Sequence, residues 1–346
     1  MKKYFISKNQ AQYKANLHSH STLSDGKLSP SEVKQIYRDH GYSILALTDH
    51  DHPADHSDLS ERDFLMLTGY ELHVRVTPRY DPYAPETHLN LYAKDPHNVT
   101  MICHDPRYRR FIQSDEEFQR IPKVGSGRPR EYSVSCINEI IRTAVEHGYL
   151  VAYNHPVWSM EEEETILSYE NIFSLEIENY GSRLSGNEEY SGALYDKMLR
   201  LGMRRFCHAG DDNHNSYPQG HQKSDSFGAF TMILADSLSY SDVIGAMERG
   251  DMYASSGPLI HEISMEGGVV HIECSPAKRI ILFDGGKKPY FAVPLPGEYL
   301  TTCDLQLRPT ARYFRVAVID EKGGIASSRG YFPDEYQSAR EGGRHE

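Results

Sequence analysis

Residues 13–51, YKANLHSHSTLSDGKLSPSEVKQIYRDHGYSILALTDHD, decide the fold class. Residues 15–19 read as a strand, with His18-Ser19-His20 at its end. Ser29-Pro30-Ser31-Glu32 is a helix start: Ser29 is the N-cap, Pro30 takes the first helical position and Glu32 completes a capping box. Val33, Ile36 and Tyr37 supply the buried face, and Gly41 ends the helix. Residues 43–47 are the next apolar strand, closed by Thr48-Asp49-His50-Asp51. The stretch is thus one strand–helix–strand unit whose strands are tipped with histidine and acid.

The pattern repeats downstream. Ile137, Ile140, Ile141, Ala144 and Val145 share one helical face, Gly148 stops that helix, and residues 150–153 follow as a strand. Residues 173–177, 205–208 and 230–234 are further strands, with helices near 189–200 and 239–249. This alternation predicts an α/β fold with a parallel sheet, most simply a closed β/α barrel. Near residue 258 the pattern changes. Residues 260–265, 269–274, 280–283, 298–302 and 313–319 are strand-like, separated by turns such as Glu266-Gly267-Gly268 and Asp284-Gly285-Gly286. The expected division is a barrel over 13–258 and a small antiparallel, sandwich-like β domain over 259–333, followed by a frayed polar tail. Residues 104–132, rich in Arg, Asp, Gly and Pro, are an insertion, either a surface loop or a lid.

The 346 residues carry 37 Lys and Arg against 49 Asp and Glu, a formal net charge of −12. That excess argues against binding long nucleic acid or anionic lipid, which rely on dense Lys and Arg contacts. No run approaches the about 20 apolar residues of a membrane helix. The start, Met1-Lys-Lys-Tyr-Phe-Ile-Ser, lacks the apolar core of a signal peptide. Five scattered cysteines, none in C-x-x-C spacing, read as reduced thiols, so the expected location is the cytoplasm.

Potential metal donors recur at six strand ends. They are His18 and His20 with Asp25 beyond them, His50, Glu71 after the run 64–67, His88 before the run 89–92, His155 in Asn154-His155-Pro156, and Asp212 with His214. In a barrel the carboxyl ends of the strands converge on one face, so these side chains share one bowl. In His18-x-His20 both imidazoles leave the same side of an extended segment, because the side-chain period is two. Mixed imidazole and carboxylate donors suit Zn, Mn or Fe better than Ca or Mg. Nine donors exceed the about four of one tetrahedral ion, so two or three divalent ions are expected. Taken singly, His88 or His155 reads as a core histidine. Six clusters in chain order, each tied to an apolar strand, outweigh that reading. His40 and His147 fall at helix ends, where an imidazolium meets the negative end of the dipole. His73 and His208 stay unassigned, and the remaining histidines are read as loop or surface residues.

The order His18-x-His20, Asp25, Thr48-Asp49-His50-Asp51, Glu71, His88, His155-Pro156, Asp212-x-His214 resembles the PHP (polymerase and histidinol phosphatase) superfamily. Asn16-Leu-His-Ser-His-Ser-Thr-Leu-Ser-Asp-Gly26 is similar to its opening motif. Gly69-Tyr-Glu71, His88-Leu-Asn-Leu, Asn154-His-Pro156 and Glu176-Ile-Glu-Asn179 resemble the CehA/McbA-type branch, and the likeness spans residues 13–258. The resemblance implies a distorted (β/α)7 barrel with a two- or three-metal site and hydrolytic, usually phosphoester, activity. Carried over by position, His18, His20, Glu71 and Asp212 would hold one ion. Glu71, His88 and His155 would hold a second, with Glu71 as the bridge, and Asp25, His50 and His214 a third. Some members have His where this chain has Asp25, which makes the third site more anionic here.

The preferred reading is a metal-dependent phosphoesterase acting on a small phosphorylated molecule. In it, Asp49 orients His50 through its second ring nitrogen or moves a proton. Arg183, Arg128 and Arg130, in loops, are the candidate phosphate partners, with a solvated surface arginine as the competing reading of each. The runner-up is an amide, carbamate or ester hydrolase with the same metal centre. A third reading is a non-catalytic metal-binding module, which missing donors would signal; none is missing.

Overall fold

The structure is a computed structural model that describes residues 2–77, 79–112 and 114–341. Its first elements are β1 (Lys3–Ile6), β2 (Gln12–Asn16), α1 (Pro30–Asp39), β3 (Ile44–Leu47), β4 (Leu65–Arg75), β5 (Glu86–Ala93) and β6 (Met101–Ile102). Next come α2 (Asp115–Arg120), β7 (Lys123–Val124), α3 (Val134–Glu146), β8 (Tyr149–Tyr153), α4 (Glu163–Leu167), β9 (Ser174–Asn179) and α5 (Tyr180–Leu184). They are followed by α6 (Gly192–Arg200), β10 (Phe206–Gly210), β11 (Phe230–Leu234), α7 (Tyr240–Arg249), β12 (Met252–Ser255), β13 (Ile260–Glu266) and β14 (Val269–Ala277). The chain then forms β15 (Arg279–Phe283), β16 (Tyr290–Ala292), β17 (Leu300–Gln306), β18 (Arg315–Ile319), β19 (Ile325–Ser328) and α8 (Pro333–Glu341).

Local chemistry sets the helix ends. At α1 the Ser29 side chain accepts from Glu32 N, and the Glu32 carboxylate accepts from Ser29 N at 2.8 Å, a complete capping box. Gly41 leaves the helix at φ 74°. His40 and His147 cap α1 and α3 at their C-termini, each ring bonded through Nδ1 at 2.8 Å to the carbonyl four residues back.

A 13-stranded sheet runs in the order β10-β9-β8-β5-β4-β3-β2-β11-β12-β19-β18-β15-β16. β2, β3 and β4 are parallel to one another, as are β8, β9 and β10, but β5 runs antiparallel between β4 and β8. The expected parallel, closed (β/α)7 barrel is therefore corrected to a mixed and open sheet, for two reasons. β4 and β5 pair as consecutive strands, so no crossover helix separates them. The outer edge of β2 is also divided. Residues 12–15 pair with β11, and beyond Asn16 the chain meets the segment after β10 at one isolated parallel bridge, Ser19 with Asn213, through His20 N to Asn213 O at 3.0 Å and Asp212 N to His18 O at 2.9 Å. β10 approaches β11 without a backbone ladder, bridged by Thr231 Oγ1, which bonds Ala209 N at 2.9 Å and Ala209 O at 2.8 Å.

The second sheet, β1-β13-β14-β17, is antiparallel and built from both ends of the chain. Ile263, Met265, Val270 and Ile272 of this sheet share one core with Ile280, Leu282, Val316 and Val318 of β15 and β18. The tail expected to fray forms α8 instead, because Tyr336 and Ala339 stand one turn apart and are buried in that core; residues 342–346 lie outside the described residues. No helix among the described residues is long and apolar enough to cross a membrane.

Candidate metal centre

Glu71 does not end its strand. It lies midway along β4, opposite Asn90 of β5, because the β4–β5 pair continues past the last residue of β3. Its backbone bonds to the segment after β3, with Asp51 N to Glu71 O at 2.8 Å and Glu71 N to Thr48 O at 3.2 Å, which brings His50 level with it. Imidazoles surround the buried carboxylate. Oε1 stands 3.0 Å from His88 Nδ1, 3.2 Å from His18 Nε2 and 3.5 Å from His155 Nε2. Oε2 stands 2.9 Å from His50 Nδ1 and 3.5 Å from His20 Nε2. Each oxygen faces its own group of rings.

Asp212 Oδ1 lies 3.2 Å from His18 Nε2 and 3.0 Å from His20 Nε2. At the outer edge, Asp25 lies 3.6 Å from His50 Nε2 and 3.4 Å from His214 Nε2. Such separations match the edges of a coordination polyhedron with metal–ligand bonds of about 2.1 Å. Four central atoms, His18 Nε2, His20 Nε2, His50 Nδ1 and Glu71 Oε2, are buried without a hydrogen bond. Buried polar atoms are nearly always bonded. Bare donors of this kind, interleaved with carboxylates, fit divalent cations, which would satisfy all four.

Among the described residues, the bowl's donors close enough to share one ion fall into four groups: His20, Asp25, His50 and His214; His18, His20 and Glu71; His18, His155 and Asp212; and His50, Glu71 and His88. All nine donors singled out from sequence are present in these groups. The grouping differs from the sets implied by the resemblance. His50 joins Glu71 and His88 as well as Asp25, His20 joins the Asp25, His50 and His214 group, and His155 and Asp212 sit with His18 and not with Glu71.

Burial opposes charge on Glu71 and Asp212, but the facing imidazoles outweigh it and hold both carboxyls well below the usual range. Burial also disfavours charge on His88 and His214. Even so, Glu71 and Glu86 push His88 up to about 10, and Asp25 and Asp212 push His214 up to about 9. The carboxylates draw in positive charge, a role that a bound cation takes over.

Strained backbone aims part of the site. Asp51, His155 and Asp212 take φ values of 46°, 26° and 53°, in the left-handed region. Gly210 ends β10 in close contact: a Cβ there would stand 2.7 Å from His18 Cβ and 2.8 Å from Glu176 Oε1. Three residues whose roles the sequence does not reveal hold the donors from behind. Glu176 meets His18 Nδ1 at 3.0 Å and accepts from the His155 amide at 3.0 Å. Asn154 donates to Glu71 Oε1 at 2.7 Å, and Glu86 meets His88 Nε2 at 2.9 Å. Glu86 has a local signal in its position two residues before His88 on the same face of a strand, and Asn154 and Glu176 stand in motifs quoted above without a role attached.

Asp49 accepts from Ser21 N and Ser21 Oγ at 2.8 Å and from Ser24 Oγ at 2.7 Å. It ties down the turn that carries Asp25, whereas both ring nitrogens of His50 face Glu71 and Asp25. The three arginines are also placed differently from the expectation. Arg130 is buried against Asp51 at 2.6 Å, Arg128 lines a separate small cavity with Cys103 and Cys136, and Arg183 pairs with Glu178 at 2.5 Å. The cations lining the bowl, about 840 Å³ in volume, are Arg75 and Lys223, beside Tyr80, Trp158, Leu184 and Tyr217. Arg75 is held by Glu86 at 2.6 Å, and the Lys223 ammonium lies 5.6 Å from the Tyr217 ring centre.

Glu178 gives stability a pH dependence. Burial, opposed by Arg183, pushes its carboxyl up to about 7 from an ordinary 4.5. The native state then binds this proton more tightly than the unfolded chain. The contribution is complete below the ordinary value and is lost as pH rises through the native one, about 3 kcal/mol in total. Glu178→Gln is expected to flatten the fall in melting temperature between about pH 5 and pH 8. An equal fall in variant and wild type, by thermal scans at both pH values, counts against this assignment.

No family model and no curated protein matches the chain. Among solved structures it is similar to a protein from Bifidobacterium adolescentis described as a candidate metal-dependent phosphoesterase. The identity is 16%, over 61% of this chain and 91% of that one, with a TM-score of 0.41. It is also similar to a two-domain protein from Bacteroides vulgatus containing a predicted PHP-like metal-dependent phosphoesterase, at 14% identity over 94% of this chain and 88% of that one, TM-score 0.41. A third is an amidohydrolase from Chromobacterium violaceum with bound sulfate and no metal, at 18% identity over 58% of this chain and 87% of that one, TM-score 0.40.

Proposed function

We propose that the chain is a metal-dependent hydrolase of the PHP type, CehA/McbA-like, with two or three divalent ions (Mn, Zn or Fe) and a small phosphoester as substrate. The hydrolase is placed in residues 13–258. One observation carries the reading: the two oxygens of the buried Glu71 carboxylate face separate groups of imidazoles that include bare ring nitrogens. Divalent ions held there supply Lewis-acid activation of water and of the electrophile's oxygen. Glu176, Asn154 and Glu86 keep the donor atoms oriented. Arg75 and Lys223 place positive charge on the bowl wall, where it meets an anionic substrate. A second reading, hydrolysis of an aryl ester, amide or carbamate, is favoured by the lining of Tyr80, Trp158, Leu184 and Tyr217, which would receive an aromatic group.

Protein refilled with Mn or Zn and offered sugar phosphates, phosphodiesters and aryl carbamates tests both readings. We expect at least two ions per chain and phosphoester turnover. Lys223→Ala should raise KM about tenfold with kcat little changed, since a lost charged contact costs about 1.4 kcal/mol or more. One ion or fewer at saturating metal removes the polynuclear reading. Carbamate turnover far above phosphoester turnover promotes the second.

A further inference from the structure

We propose that Arg130 is a positioning residue for the metal centre: through Asp51 and His73 it sets the rings of His50 and His88, and with the same guanidinium it fastens residues 104–132 against that side of the bowl. The inference rests on the reading of the bowl as a metal centre. Arg130 belongs to the insertion, yet it is only 4% exposed. Its Nη2 meets Asp51 Oδ1 at 2.6 Å, its Nε donates to Cys103 O at 2.9 Å and its Nη1 donates to His73 O at 2.9 Å. Its amide donates to Asp105 Oδ2 at 2.8 Å. The rigid fork of five N–H donors suits Arg to binding a carboxylate and two carbonyls at once, where a Lys ammonium is a point charge.

Asp51 directly follows His50, and its second oxygen lies 2.9 Å from His73 Nδ1. The His73 ring is fully buried, its centre 5.2 Å from that of His50 and 5.4 Å from that of His88. The insertion packs on the same rings: Tyr108 stands 3.8 Å from His73, and Phe111 stands 5.6 Å from His50. Glu117 of α2 adds a second attachment, 2.9 Å from His52 Nε2. Asp51 is a buried carboxylate beside a centre already rich in them. Without Arg130 its charge would be uncompensated, and the ring contacts that depend on its position would loosen.

The test uses Co²⁺, whose absorption spectrum reports ligand geometry, on the full chain and on Arg130→Met, Arg130→Lys and Asp51→Asn. We expect Arg130→Met to bind Co²⁺ about ten- to a hundredfold more weakly, with an altered spectrum. Trypsin should cut it within 104–132 faster than it cuts the wild type. Arg130→Lys should recover part of both properties, since it restores charge without the fork. Asp51→Asn should weaken Co²⁺ binding in the same way, and it decides the matter if Arg130→Met does not fold. Wild-type Co²⁺ affinity and spectrum in Asp51→Asn, or in a folded Arg130→Met that has lost only thermal stability, overturns the proposal. Failure of the wild-type chain to bind Co²⁺ at all removes the metal-centre reading instead.

Discussion

Glu71→Gln is expected to remove ions from two donor groups at once and to lower hydrolysis by at least about a hundredfold, while the sheet stays folded. A carboxylate offers two oxygens and a negative charge, whereas the amide of the same shape offers one acceptor oxygen and no charge. In the native site Oε1 faces His18, His88 and His155, and Oε2 faces His20 and His50. An ordinary donor serves one ion, so its loss leaves the rest in place; a bridging donor takes two with it. The backbone bonds that fix this position, Asp51 N to Glu71 O and Glu71 N to Thr48 O, do not involve the side chain, so circular dichroism should be unchanged. Elemental analysis and initial rates on the refilled variant decide the matter. Loss of a single equivalent would make Glu71 a terminal donor, and wild-type content with a wild-type rate would place it outside the centre.

Asp196→Ala is expected to destabilise the chain by about 3–5 kcal/mol without changing the donor set. Asp196 on α6 meets Arg315 of β18 through two bonds, Nε to Oδ1 at 2.8 Å and Nη2 to Oδ2 at 2.7 Å, and accepts from Tyr313 Oη at 2.7 Å. Arg315 is 1% exposed, so truncating Asp196 strands a guanidinium away from water and from its counter-charge. The bond joins the strand–helix half of the chain to the C-terminal strands, so its loss should shift the whole unfolding transition. Asp196→Leu combined with Arg315→Met removes both charges at similar volume and should recover most of the loss. Urea unfolding of both singles and the double measures the coupling. Simple additivity would show that the two side chains are energetically independent.

The parts of this molecule that were legible from residue order are those governed by neighbours. Ser29, Pro30 and Glu32 cap α1 because capping acts across three residues. The apolar runs around 44–47, 149–153 and 230–234 became strands because each is buried along its length. Other features resist such reading. An apolar run has the same periodicity in either direction, so the antiparallel course of β5 is invisible in it. The polar composition of α8 hides Tyr336 and Ala339, which matter only once β13 and its neighbours present a core to cover. An arginine in a loop rich in Gly and Pro reads as a phosphate partner or a solvated side chain; Arg130 is buried because Asp51 arrives from a different loop to neutralise it.

The spacing of histidines and acids along the chain was enough to list the nine side chains that the fold gathers in the bowl, since side-chain type and position after an apolar run are local properties. Tertiary structure alone decided how they are arranged: Glu71 in mid-strand between two groups of rings, His50 between Asp25 and Glu71, and the segments beyond β2 and β10 bonded to each other without closing a barrel. Each of these depends on which distant segment reaches a buried carboxylate or an open strand edge, and that is set by packing across the molecule, not by neighbours in the chain.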